Sequence, residues 1–172
     1  FDKAGCQFGY RNSIFKNQLK GQYIITSVNF LLNKAPHTIN ASYKGLREKM
    51  EKKNKTIQNV AKAVIAIRSE KLPDPKEIGN SGSFFKNPVI TEAQFKNLQN
   101  QYPNIPHYPD NAGKIKIPAA WMIDTLGLKG FRNGDAGIHK NQALVLVNYG
   151  NATGKDINAL AEKIQSEVAK KF

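Results

Sequence analysis

"AGIHKNQALVLVNYGNATGKDINALAEKIQSEVAKKF", residues 136–172, changes its hydrophobic period half-way along, and that change decides the fold class. Up to residue 150 the apolar positions alternate. Leu144, Leu146 and Asn148 fall in one phase and Val145 and Val147 in the other, as in one or two β-strands. Beyond that, Thr153 offers a side-chain cap, and Ile157, Leu160, Ala161, Ile164 and Val168 recur at helical spacing. Strands followed directly by a long amphipathic helix predict an α/β (α+β) layout, with small mixed or antiparallel sheets flanked by helices.

Working back toward the N-terminus, the same reading continues. "AAWMIDTLGL" (119–128) predicts a short helix stopped by Gly127, and "KIKIP" (114–118) a strand. "QYPNIPHYPDNAG" (101–113), with three prolines, must be irregular. Thr91 and Gln94 make a capping box for a helix that packs through Phe95 and Leu98. A short strand is expected around Phe84 and Phe85. "EKLPDPKEIGNSGS" (70–83) reads as a crossing between structural units. Thr56 caps a helix with Ile57, Val60, Ala61, Val64 and Ile67 at helical spacing, and another helix runs from about Tyr43 to Met50. In "GQYIITSVNFLLN" (21–33), Ile24, Val28, Phe30 and Leu32 share one phase, so a half-buried strand is expected there, with a short second strand at 38–42.

At 172 residues the chain is long enough to bury a real core as one large or two small units. No window holds the roughly 18 consecutive apolar residues of a membrane span. The single cysteine, Cys6, cannot form an intramolecular disulfide, which favours a reducing compartment. The chain opens on Phe1, and its last helical pattern runs to Phe172 without a stop, so both ends read as cuts in a longer polypeptide. Twenty-six Lys and Arg against thirteen Asp and Glu give a formal charge of +13, which favours anionic partners. In "KGLREKMEKKNK" (44–55) the lysines are interleaved with Glu48 and Glu51, which fits a solvated helix face better than a nucleic-acid stripe.

Generic motifs add little. His37, His107 and His139 have no Cys or carboxylate companions at ligand spacing, so no metal is expected. "GNSGS" (79–83) has neither the glycine spacing nor the following helix of a dinucleotide loop. The residues alone stop at a basic mixed α/β protein that could hold phosphates.

Four longer strings carry more. "CQFGYRNSIFK" (6–16), "KLPDPKEIGNSGSFFKNPVI" (71–90), "IPAAWMIDTLGLKGFRNGDAGIH" (117–139) and "NQALVLVNYGNAT" (141–153), in this order, resemble the UDP-N-acetylenolpyruvoylglucosamine reductase family. "INASYKGL" (39–46) resembles the tyrosine-bearing loop of its longer, type I form. The resemblance implies a bacterial cytoplasmic flavoenzyme of peptidoglycan precursor synthesis. In it NADPH reduces FAD, and the flavin passes hydride to the enolpyruvyl ether of UDP-N-acetylglucosamine enolpyruvate, giving UDP-N-acetylmuramate. Such chemistry needs a clamp for developing negative charge and a proton donor.

The resemblance assigns the proton donor to Ser83 and the carboxylate clamp to Arg11. Without the motif, Arg11 would read as a structural arginine tying a turn. Lys71, Asn87 and Tyr43 match residues on the UDP diphosphate, and Gln142 a further substrate-side amide; Tyr108 and Lys129 match on shorter strings. Left to themselves, Lys71 and Lys129 are surface lysines and Gln142 a strand-edge amide. The implied organisation is a remnant of the FAD-binding domain with the type I loop over 1–70 and a UDP-sugar substrate-binding domain over 71–172. Because the family's glycine-rich FAD loop and a catalytic glutamate find no match in these residues, the chain by itself is expected to hold no FAD and to have no reductase activity. The whole enzyme is expected to be a monomer without nucleic-acid or membrane partners, whereas residues 21–33 give the chain alone a route to self-association. The alternative is a non-catalytic module binding nucleic acid or a nucleotide sugar.

Overall fold

The computed structural model describes residues 1–172, and their contacts divide them into two units, Phe1–Asn40 and Ala41–Phe172.

The second unit contains all the regular strands and α-helices. A four-stranded antiparallel sheet has the order β1-β7-β6-β5, built from β1 (Gly79–Ser83), β5 (Arg132–Asn133), β6 (Ala136–Ile138) and β7 (Val145–Asn148). A smaller antiparallel sheet has the order β2-β4-β3, from β2 (Val89–Ile90), β3 (Tyr108–Pro109) and β4 (Ile115–Lys116). The predicted α+β class is the one observed.

The long helix α5 (Gly154–Lys171) starts where expected. Thr153 accepts from the Asp156 amide, and Asp156 reaches back to the Thr153 amide. Its stripe of Leu160, Ala161 and Ile164 packs with Ile138 and Leu146 of the larger sheet, with Ala143 of the turn between them and with Ile123 of α4 (Ala119–Thr125). A second core lies under the smaller sheet. There Phe95 of α3 (Glu92–Gln101) meets Ile105, Ile117 and Met122, with Trp121 and Phe172 packed beside them. The Thr91–Gln94 capping box of α3 is present as expected. A third, small core joins α1 (Lys44–Met50) and α2 (Ile57–Lys71) through Leu46, Met50 and Ala63.

Two strand expectations fail. The first concerns residues 21–33 and 38–42, which belong to no sheet; Ile24, Phe30 and Leu31 are 90%, 78% and 102% exposed. Alternation marks a chain able to pair, but pairing needs a neighbour, and no strand in the chain lies against them. The second concerns "GNSGS", read as part of a crossing. It forms β1, and the strand expected at Phe84 and Phe85 lies just upstream of them. Glycine and serine are weak strand formers, so the pairing comes from β7, not from local preference.

The first unit is irregular. It has a one-turn 3-10 helix (Ile14–Lys16), an isolated Gly9–Asn12 bridge and edge-on contacts among Phe1, Phe15 and Tyr23 at 5.0–6.4 Å. No helix of either unit is long and apolar enough to cross a membrane.

Candidate functional site

Ser83 ends β1 immediately after a bulge. Asn80 pairs with Val147 and Ser83 with Val145, so β1 spends one more residue than β7 between the two pairs. Gly82 sits inside the bulge at φ +74°, a conformation that costs glycine little, and its amide donates to Asn80 Oδ1 at 3.1 Å. Asn80 in turn donates to the Ile78 carbonyl at 3.0 Å. A bulge re-aims the side chains that follow it, and here the first of them is Ser83. The strand link continues as the Phe84 amide donates to the Leu144 carbonyl at 2.7 Å. The two phenylalanines meet edge-on at 5.3 Å; Phe85 joins the main core, whereas Phe84 is 40% exposed.

The turn between β6 and β7 gathers several distant residues. It closes through His139 N–H to the Val145 carbonyl (2.9 Å), Gln142 N–H to the His139 carbonyl (3.2 Å) and Val145 N–H to the Gln142 carbonyl (3.1 Å). Leu144 carries the bond to Phe84 beside Ser83. Asn141 Nδ2 donates to the Glu70 carbonyl at 3.4 Å, which sets the turn against the last residues of α2, next to Lys71. Gly130, beside Lys129, is a neighbour of the turn, where a Cβ would lie in ordinary contact with Lys140 Cα at 3.8 Å. Lys71, Ser83, Lys129 and Gln142, chosen from separate strings, thus converge on one turn.

Each member has its own local fixings. Gln142 Oε1 lies 3.5 Å from the Leu144 amide, at the long limit of a hydrogen bond, and the residue is half-buried. Lys129 pairs with Asp124 at 2.9 Å. Lys71 is exposed at the C-terminal end of α2. His139 is half-buried, and its Nδ1 accepts from the Asn141 amide at 3.4 Å. Burial, with a smaller contribution from the Lys140 ammonium, lowers its pKa below the ordinary imidazole value.

The remaining expected residues lie elsewhere. Asn87 Oδ1 accepts from the Ala119 amide at 2.9 Å and so caps α4, while Ile117 N–H donates to the Pro88 carbonyl at 3.0 Å. Tyr43 precedes α1, its carbonyl accepting from Arg47 and its ring 63% exposed; α1 is tied to α2 by the Lys49–Glu70 ion pair. Tyr108 lies on β3 opposite Lys116, away from the β6–β7 turn in pairing order. Arg11 belongs to the first unit. It occupies a tight turn closed in both directions between Gly9 and Asn12 (3.0 and 3.1 Å), at φ +49°, a value uncommon outside glycine. Its carbonyl accepts from Lys16 Nζ at 3.1 Å.

The motifs pass over Asn141, whose amide joins the turn to α2. Asparagine between two strand-like runs does signal a turn, but its 71-residue reach to Glu70 has no local trace. No group of three or more His, Cys, Asp or Glu side chains gathers into a metal-binding set. Nor do these residues fit a flavin diphosphate. The glycine-rich run 79–83 is a paired strand, not a loop opening a helix, and the Gly82 amide is already bonded.

The geometry defines an α+β domain with a polar turn at one end of its larger sheet, flanked by the segments that carry Lys71 and Lys129. Residues 74–172 match the family described as UDP-N-acetylenolpyruvoylglucosamine reductase, C-terminal domain, and the chain belongs to that family. The UDP-N-acetylenolpyruvoylglucosamine reductase of Flavobacterium johnsoniae is 51% identical over 175 residues, covering 100% of this chain and 52% of that protein. The reductase of the same name from Amoebophilus asiaticus is 49% identical over 175 residues, covering 100% and 51%. The one from Chromobacterium violaceum is 46% identical over 172 residues, covering 98% and 50%. The chain therefore spans about half the length of these relatives. A crystal structure of UDP-N-acetylenolpyruvylglucosamine reductase from Thermus caldophilus aligns with 64% of this chain and 30% of its own, at 29% identity and a TM-score of 0.41.

Proposed function

We propose that the chain is the substrate-binding part of a bacterial cytoplasmic UDP-N-acetylenolpyruvoylglucosamine reductase, with 71–172 as the UDP-sugar domain and 1–70 as the end of the flavin domain. The observation that carries this reading is the convergence of Lys71, Ser83, Lys129 and Gln142 on the β6–β7 turn. In the whole enzyme a flavin held by other residues would supply the hydride for the enolpyruvyl ether. The residues here supply binding, charge and the proton.

Hydride addition leaves an electron pair on the carbon next to the carboxylate. Ser83 Oγ–H donates a proton to that carbon, forming a C–H bond, and the exposed serine is reprotonated from solvent. Arg11 is assigned to the substrate carboxylate on the "FGYR" motif, since a planar guanidinium matches a carboxylate with two parallel donors. Lys71, Asn87 and Tyr43 are assigned to the diphosphate, with Gln142, Lys129 and Tyr108 as further substrate-side groups. Asn87 Oδ1 also accepts from the Ala119 amide, which fixes the orientation of its side chain.

The test is NMR titration of the chain with UDP-N-acetylglucosamine enolpyruvate. Saturable shifts at Ser83, Asn87 and residues 139–142 are expected; their lack would overturn the reading. Binding of generic DNA that falls steeply with salt and resists competition by a uridine nucleotide would replace it with the nucleic-acid alternative. The 172 residues alone are expected to retain no FAD, because the glycine-rich run 79–83 is a paired strand and not a phosphate loop; a stoichiometric flavin absorbance after gel filtration with added FAD would refute that.

A further inference from the structure

We infer that Asn80 is the positioning residue for Ser83: its side-chain amide holds the bulge that brings the serine opposite Val145. The inference rests on the reductase reading above, in which Ser83 donates the proton.

Register shows what the bulge changes. Counted from the Asn80–Val147 pair, an unbroken antiparallel ladder would set Gly82 opposite Val145 and Ser83 opposite Leu144. Successive residues of a strand face opposite ways, so Ser83 would then point to the other side of the sheet. The extra residue moves Ser83 to Val145 and leaves the place beside Leu144 to Phe84, whose amide donates to the Leu144 carbonyl at 2.7 Å. Gly82 takes the first bulge position at φ +74°, where a left-handed glycine is the usual occupant. A Cβ on Gly82 would meet nothing within 4 Å, so the glycine is required by backbone angle and not by space.

A bulge takes backbone groups out of the ladder, and an amide so released needs another acceptor. Asn80 supplies it. Its Oδ1 accepts from Gly82 N–H at 3.1 Å, while its Nδ2 donates to the Ile78 carbonyl at 3.0 Å. One flat group thus braces the chain on both sides of its own residue, a task that needs an acceptor and a donor on one short side chain. Aspartate keeps the acceptor but sets a second oxygen against the Ile78 carbonyl. Alanine keeps neither. Asn80 is half-buried and each end of its amide is engaged on backbone, so it acts on the reaction through the direction of Ser83.

The experiment uses the 172-residue chain for NMR and the whole reductase for turnover. In the chain, Asn80→Ala should speed amide exchange at Gly82 about tenfold and move the Ser83 carbon shifts, with a smaller change in Asn80→Asp. In the whole reductase, Asn80→Ala should lower kcat about tenfold while KM for UDP-N-acetylglucosamine enolpyruvate moves less than about twofold. Gly82→Ala, which strains the same bulge without touching a side chain, should give the same split, and it carries the test if Asn80→Ala does not fold. In a Ser83→Ala background, Asn80→Ala should slow turnover no further, because both act on one proton transfer. An equal loss in both backgrounds, or unmoved Ser83 shifts in the chain, would overturn the inference. If Ser83→Ala itself leaves kcat unchanged, the proton-donor reading fails, while moved Ser83 shifts in Asn80→Ala would still uphold the hold of the amide on the serine.

Discussion

Residues 22–33 and strand β7 carry nearly the same kind of sequence and have opposite fates. Each is an apolar run with period-two alternation. In β7, Val145, Leu146 and Val147 are 0–3% exposed, because β1 and β6 bond its two edges while α5 and Phe85 contribute to the core against it. In 22–33, Leu31 and Leu32 are 102% and 79% exposed and no ladder forms. Alternation therefore reports a capacity to pair; neighbours decide whether burial follows. The burial term, roughly 25 cal/mol per Å² of apolar surface, is realised in one segment and left open in the other.

The contrast can be broken or sharpened by measurement. Ile138→Ala, in the strand next to β7 and 0% exposed, should cost about 2–5 kcal/mol in denaturant unfolding, since little can collapse into the cavity. Thr153→Ala should cost about 1 kcal/mol by the same assay, by removing one half of the box that starts α5. The pH dependence should come next. Asp135 is held below the usual carboxylate range by the Asn151 amide and then by Arg132, and Asp156 by the hydroxyl and amide of Thr153. A depressed folded-state pKa gives stability that is present above the unfolded value, about 3.9, and is lost as pH falls through the folded one. His139, also depressed, follows the same sign from about 6.5 downward. The thermal midpoint should decline gently below about pH 6.5 and more steeply below about pH 4, the second step shrinking in Asp135→Asn. Smallest of all, Leu31→Ala should change unfolding by less than about 0.5 kcal/mol. A core-sized cost there, with a second copy seen by light scattering, would mean that 22–33 finds its neighbour in solution and that the contrast is one of oligomeric state.

The same logic explains what the sequence disclosed. The helix starts at Thr56, Thr91 and Thr153 were legible because a cap is settled within four residues of chain. The strand at 79–83 was not, since its glycines and serines argue against it and its register is supplied by β7, more than sixty positions away. The strings around Ser83, Lys71, Lys129 and Gln142 could be picked out singly. Their meeting place could not, because it depends on the long-range bonds from Asn141 to Glu70 and from Phe84 to Leu144. Arg11 stood out by motif, whereas its left-handed backbone had no glycine or asparagine to announce it.

The cap that Asn87 places on α4 also turns its position into a polarity filter. With Oδ1 fixed on the Ala119 amide, the other end of the same flat group meets any further partner only as a donor. Aspartate would keep the shape and the cap, and a negative charge suits a helix start. Yet it would turn an acceptor outward and repel the anion that the donor end could greet. Under the proposed function, fold and recognition would make separate demands on this residue, and a single isosteric exchange, Asn87→Asp, would test whether they can be pulled apart.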